Sequence, residues 1–268
     1  MAYAFQVDHA GRAGLPVPQL RRRLRQGEAL VGSACYLGSP IVAELMAGIG
    51  LDFVYIDQQH GLTSYDTMLA MVRAFDHTAT APIVRVAAND ASLIGQVLDA
   101  GADGVIVPMV NSRAEAERAV AACRYGPHGT RSYGPLRAAV TRGGSIRDAD
   151  ERVLCLAMVE TAAGVEHVRE IAATPGLDGI YIGQADLAVS LGLEPELRIQ
   201  PGAHEQAIKT ILAACQEAGI AAGISGDPAA TRAAGFRIVT TGSDHGFVVS
   251  GMQALQARLR DQEKGRKA

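Results

Sequence analysis

The sequence has no tryptophan, four cysteines and only three lysines among its 25 basic residues. Each scarcity excludes something. Cys35, Cys123, Cys155 and Cys215 lie far apart and form no CxxC pair, which argues against a zinc ribbon or a dithiol redox motif. Cys155 falls within a strand pattern and Cys123 and Cys215 within helical ones, as expected of reduced core thiols in a cytoplasmic protein. Lysine is confined to Lys209, Lys264 and Lys267. No strand end therefore carries the amine that Schiff-base chemistry requires. No apolar run approaches the roughly 18 residues of a membrane span, and no signal-like apolar segment opens the chain. A formal charge of −3, with no basic run beyond Arg21-Arg22-Arg23, gives no sign of a nucleic-acid partner, and none is expected.

What is present is a rhythm. Of the 268 residues, 48% are hydrophobic and 20% charged, enough for a single large buried core. Residues 1–28 form an irregular lead and a short amphipathic helix over 17–27. Apolar β-rich runs then alternate with helical patterns. Strands are expected at 29–37, 51–57, 81–87, 102–108, 153–159, 178–182, 220–224 and 236–241. Helices lie between them, and the last runs over 246–264. Eight such units in about 250 residues match a closed (β/α)8 TIM barrel. An open doubly wound sheet would want GxGxxG after its first strand, and GSACYLGSP does not supply it. The rhythm breaks once, at 124–153, a long Gly- and Arg-rich connection of the kind that is functional or mobile.

In such a barrel the chemistry sits where strands end. Asp57 and His60 follow the second strand, Arg85 ends the third, Glu160 follows the fifth and Asp186 the sixth. Glu160 and Asp186, at the same ends of neighbouring strands, suit a hard divalent cation, although each could simply cap a helix. A 2-oxo acid chelating that cation would have its ketone polarised. Arg85 would neutralise its charge, and His60 would move protons.

The text AELMAGIGLDFVYIDQQHG, PIVRVAANDASLIGQVLDAGADGVIVPMV, RYGPHGTRSYG and VETAAGVEHVREIAATPGLDGIYIGQADLAVSLG resembles the HpcH/HpaI aldolase/citrate lyase family over roughly residues 30 to 245. The resemblance implies a single (β/α)8 barrel over 1–268, of the phosphoenolpyruvate/pyruvate-binding type. It also implies a final helix, from Gly246, exchanged between subunits of a homohexamer (a trimer of dimers). The implied activity is class II aldol cleavage or formation of a 4-hydroxy-2-oxo acid from pyruvate and an aldehyde through a metal-held pyruvate enolate. Glu160 and Asp186 would hold Mg²⁺, Mn²⁺ or Co²⁺. His60 would be the acid/base, Asp99 its partner, and Arg85 the pyruvate-binding arginine. Ala185 and Asp186 would offer backbone amides to the pyruvate carboxylate, while Asp57 and Gln59 stand behind these groups.

The sequence departs from the family pattern at four places. Asp-Gly-Glu-His becomes Asp57-Gln58-Gln59-His60, and a glutamine two residues before the metal glutamate becomes Met158. A first-strand tryptophan becomes Ala34, and Gly-Pro-Ala-Asp becomes Gly183-Gln184-Ala185-Asp186. A related lyase acting on a CoA thioester, and a silent protein that binds metal and oxo acid without turnover, remain alternatives.

Overall fold

In the computed structural model, which describes residues 19–267, eight parallel strands close into a barrel in sequence order, β8 pairing back onto β1. The elements follow one another as α1 (Leu20–Arg25), β1 (Leu30–Cys35), α2 (Pro40–Ala47), β2 (Phe53–Asp57), α3 (Tyr65–Ala74), β3 (Ala81–Arg85), α4 (Ala91–Asp99), β4 (Gly104–Val107), α5 (Arg113–Cys123), α6 (Leu136–Arg142), α7 (Ile146–Arg152), β5 (Leu154–Val159), α8 (Ala162–Glu166), α9 (Val168–Ala172), β6 (Gly179–Ile182), α10 (Gln184–Ser190), α11 (Ala203–Ala218), β7 (Ala221–Ser225), α12 (Pro228–Ala233), β8 (Ile238–Ser243) and α13 (Asp244–Lys267). The irregular lead read at 1–15 lies outside the described residues. The eight strands fall where the apolar runs place them. Among the described residues no helix is long and apolar enough to cross a membrane.

Alternation along each strand divides the core in two. Val54, Ile56, Val84, Val105, Cys155 and Ile180 face outward into the layer between sheet and helices. Phe53, Tyr55, Ile83, Ile106, Leu154, Leu156, Met158 and Tyr181 face inward and fill the barrel. Close fit is visible at Gly104, where an added Cβ would lie 2.7 Å from the Leu154 Cβ. Helix α1 plugs the N-terminal end of the barrel with Leu20 and Leu24, which belong to the interior cluster. All four cysteines are buried and free.

The 124–153 connection is not an open loop. It holds α6 and α7, and its arginines latch the N-terminal end of the barrel. Arg124 reaches Asp178 at 3.3 Å, Arg131 reaches Asp99 at 2.7 Å, Arg142 reaches Asp103 at 3.2 Å, and Arg137 pairs with Asp76. Asp178 is the hub. It also takes Arg21 at 2.6 Å and the Cys155 amide at 3.0 Å. Removing one partner of a buried ion pair strands the other charge, so Asp178→Ala is expected to cost about 3–5 kcal/mol. Urea unfolding would show this as a lower midpoint at an unchanged slope.

Other boundaries shift for local reasons. The helix expected between the fifth and sixth strands breaks at His167 into α8 and α9. A further helix, α10, opens immediately after Gly183, so Asp186 lies on its first turn. The last helix begins at Asp244, two residues early, because that carboxylate accepts the amides of Tyr36 (2.9 Å) and Leu37 (2.9 Å) and the Cys35 thiol (3.2 Å). Those bonds tie the start of α13 to the end of β1.

Candidate active site

The C-terminal end of the barrel collects the polar residues. Asp57 closes β2 fully buried, and the register sets it directly beside Arg85 at the end of β3. The pair is a two-pronged fork: Arg85 Nε donates to Asp57 Oδ1 at 2.8 Å and Nη2 to Oδ2 at 2.6 Å. The same carboxylate accepts the amides of Gln59 at 2.9 Å and His60 at 3.3 Å. Asp57 thus positions both the arginine and the loop that carries the histidine. Burial works against the Arg85 charge, but the Asp57 hydrogen bonds outweigh it and raise the guanidinium pKa. Among the described residues the remaining terminal nitrogen, Nη1, meets the weakly accepting Met158 sulfur, at 3.8 Å, and no stronger acceptor. His60 is exposed above this pair.

Across the barrel, Glu160 follows β5 and is fully buried. Its Oε1 accepts the Met109 amide at 2.7 Å. Met109 reaches that position only in the left-handed region, at φ 56°, which costs a non-glycine residue about 1–2 kcal/mol. The Val110 amide on Met158 O (3.0 Å) and the Asn111 side chain on Met109 O (3.0 Å) hold the turn. The other oxygen, Oε2, is buried beside the Asp186 carboxylate, with no hydrogen-bond donor on it among the described residues. Burial pushes the Glu160 carboxyl up to about 7; the Met109 amide opposes the shift and the nearby Asp186 charge adds to it. A Cβ at Gly183 would collide with Glu160 Oε2 and with Met158 Cε, so a bare glycine is what keeps this corner open.

An orphaned carboxylate oxygen facing a second carboxylate is unfavourable for the empty protein and suited to a hard cation. Among the described residues no cluster of three or more His, Cys, Asp or Glu surrounds it. Glu160 and Asp186 are thus the two carboxylates that would hold such a cation. The donor set fits a divalent metal such as magnesium or manganese. Asp186 and Ala185 lie on the first turn of α10, where backbone amides have no intrahelical acceptor.

The structure thus brings together Asp57, Arg85, Glu160, Ala185 and Asp186, with the His60 loop hung from Asp57. It does not bring Asp99 to His60 within the chain. Asp99 ends α4, at the opposite end of the barrel, and is held by Arg131. Gln59, expected to stand behind the site, leaves its side-chain oxygen buried and unpartnered.

Several residues at this end carry no motif. Met109 is one. Gln184, where the resemblance implies proline, is buried, accepts the Ser225 amide at 3.2 Å and donates to Leu197 O, so it pins α10 to β7. Tyr36, Tyr55 and Tyr181 form an edge-to-face chain across the barrel mouth. Inward alternation along β2 and β6 was the signal that could have found the last two.

The family model for HpcH/HpaI aldolase/citrate lyase matches residues 35–250. The chain is 36% identical over 256 residues to a hydroxypyruvate/pyruvate aldolase of Pseudomonas aeruginosa, covering 92% of this chain and 94% of that protein. It is 34% identical to a 4-hydroxy-2-oxo-heptane-1,7-dioate aldolase of Salmonella paratyphi C, covering 88% and 92%. The crystal structure of a family protein from Burkholderia cenocepacia J2315 superposes with TM-score 0.85 at 34% identity, over 91% of this chain and all of that one. Matched in sequence over most of its length and in fold throughout the barrel, the chain belongs to the HpcH/HpaI aldolase/citrate lyase family and is a carbon–carbon lyase of the aldolase kind.

Proposed function

We propose that the protein is a divalent-metal-dependent aldolase that makes or cleaves a 4-hydroxy-2-oxo acid, with pyruvate as one partner and an aldehyde as the other. The observation that carries this reading is the orphaned Glu160 Oε2 beside Asp186, facing the free edge of a buried arginine. Glu160 and Asp186 would hold the metal, which when bound supplies Lewis-acid polarisation of a ketone. The chain's own residues do the rest. Arg85, fixed by Asp57, offers Nη1 to the anionic oxygen that develops as the C3 proton of pyruvate leaves. The first-turn amides of Ala185 and Asp186 receive the pyruvate carboxylate. His60 is the base that takes up the proton leaving the substrate and passes it to solvent, and the acid that returns it in the reverse direction. Asp99, at the far end of its own barrel, would reach a His60 only on a neighbouring copy.

Assembly is part of the proposal. Helix α13 exposes Phe247, Val248, Met252, Leu255 and Leu259, while α2 exposes Ile41 and Leu45 and the turn after it exposes Ile49. Apolar stripes of this kind are covered when copies associate, in keeping with a helix exchanged within a hexamer. Retro-aldol release of pyruvate from 4-hydroxy-2-oxo acids, followed by a coupled dehydrogenase, tests the activity. Release that continues undiminished in EDTA contradicts metal dependence.

The Glu160 carboxyl gives a pH signature. Its pKa in the folded, metal-free chain is pushed up to about 7, above the ordinary carboxylate value. The resulting stability is fully present below the unfolded pKa and is lost as pH rises through about 7, at roughly 1.4 kcal/mol per unit between the two values. EDTA-treated protein should therefore lose thermal stability from pH 5 to 8 more steeply than its Glu160→Gln variant. Equal slopes would remove Glu160 as the cause. Metal competes with that proton, so Mn²⁺ affinity should fall as pH drops below about 7.

A further inference from the structure

Tyr36 follows the end of β1 and continues the inward series of Gly32 and Ala34, so its ring enters the barrel mouth above Ala34. The register of β1 with β2, extended by one residue, sets Tyr36 beside Asp57, and Asp57 pairs with Arg85. The backbone is fixed, because the Tyr36 amide donates to both oxygens of Asp244 at 2.9 and 3.0 Å. The side chain is fixed too: its hydroxyl lies 2.6 Å from that of Tyr55, and its ring packs edge-on against His245 at 5.2 Å.

Two hydroxyls share one hydrogen bond here, and proton arithmetic decides its direction. Tyr55 is buried and its hydroxyl has no other partner among the described residues. If Tyr36 donated, the Tyr55 proton would be buried without an acceptor, a cost of about 1–3 kcal/mol. Tyr55 therefore donates, and the Tyr36 proton is free. Of the three mouth tyrosines, only Tyr36 is partly open; Tyr55 and Tyr181 are buried. The free proton points to whatever occupies the mouth.

The barrel geometry says what that is. β1 lies across the closed sheet from β5, so Tyr36 faces the Glu160 side with Arg85 between them. Glu160, Asp186 and Arg85 stand on the β3–β6 side of the mouth, so a pyruvate held by them would leave the β1 and β8 side, where Tyr36 stands, to the aldehyde. We infer that the Tyr36 hydroxyl donates a hydrogen bond to an oxygen substituent next to the carbonyl of the acceptor aldehyde, which makes Tyr36 a specificity-determining residue for α-oxygenated aldehydes. This inference rests on the aldolase reading above.

Glycolaldehyde and propionaldehyde differ by a hydroxyl in place of a methyl, and they make the test. With pyruvate and Mn²⁺, the wild-type kcat/KM is expected to favour glycolaldehyde, and Tyr36→Phe is expected to lose about 3- to 10-fold of that preference, as one neutral hydrogen bond allows. Tyr55→Phe removes the neighbouring hydroxyl but leaves the Tyr36 proton, so it should keep the wild-type preference. A preference untouched by Tyr36→Phe overturns the inference, as does an equal loss in both variants, which would mark a merely structural role. Metal-dependent exchange of pyruvate C3 protons in the wild type separates the two levels. Its presence leaves the aldolase reading standing whatever Tyr36 does; its absence overturns both.

Discussion

Glu160→Gln is expected to lower aldol turnover by on the order of 10³-fold or more while making the metal-free protein more stable at pH 8. Both effects have one cause. The carboxylate is buried, with one oxygen on the Met109 amide and the other unpartnered, so its negative charge is costly to the empty fold. An amide of the same shape removes that charge and with it half of the metal's anionic ligand set. Lewis-acid stabilisation is worth several kcal/mol of the barrier, and each 1.36 kcal/mol is a factor of ten. Mn²⁺ binding followed by electron paramagnetic resonance, with thermal melts at pH 8, checks both halves. A variant that keeps activity, or one that loses stability at pH 8, would contradict the assignment.

His60→Ala should slow proton transfer by about 10²- to 10⁴-fold and spare metal affinity, because a general acid/base contributes that much and His60 is not among the carboxylate ligands. Its loop is held from below by Asp57 through the amides of Gln59 and His60, which the substitution leaves in place. Overall fold and the Arg85 fork should survive. Loss of Mn²⁺ binding in His60→Ala would instead make the histidine a ligand. Unchanged turnover would pass the proton to another group.

The barrel was legible in sequence because strand and helix periods are both written in apolar residues, and β2, β3 and β5 are continuous buried runs. The segment 124–153 was not, for a physical reason. Helix α6 buries only Ala138 and α7 buries nothing, so neither shows an apolar stripe. Ion pairs to Asp76, Asp103 and Asp178 hold the segment, and α7 opens on a Ser145–Asp148 capping box. Such partners are far away in sequence and leave no local periodicity.

At the site, the charged residues announced themselves by standing at strand ends. The supporting ones did not. Nothing in the text PMV marks Met109 as left-handed, and Gln184 reads as a lost proline until its side chain is seen bridging Ser225 and Leu197. Asp99 is a different case. The motif places it with His60, while the chain's own topology sends the C-terminal end of α4 to the other end of the barrel.

The central claim is that this site removes a C3 proton from pyruvate with the help of a divalent metal. Proton NMR of pyruvate in D₂O with the purified protein addresses it directly. The methyl signal should decay in samples loaded with Mg²⁺, persist after EDTA treatment, and decay again when metal is restored. A methyl signal that stays constant in the metal-loaded sample, with pyruvate bound, would contradict enolate chemistry at Glu160 and Asp186 and leave a protein that only binds its ligand.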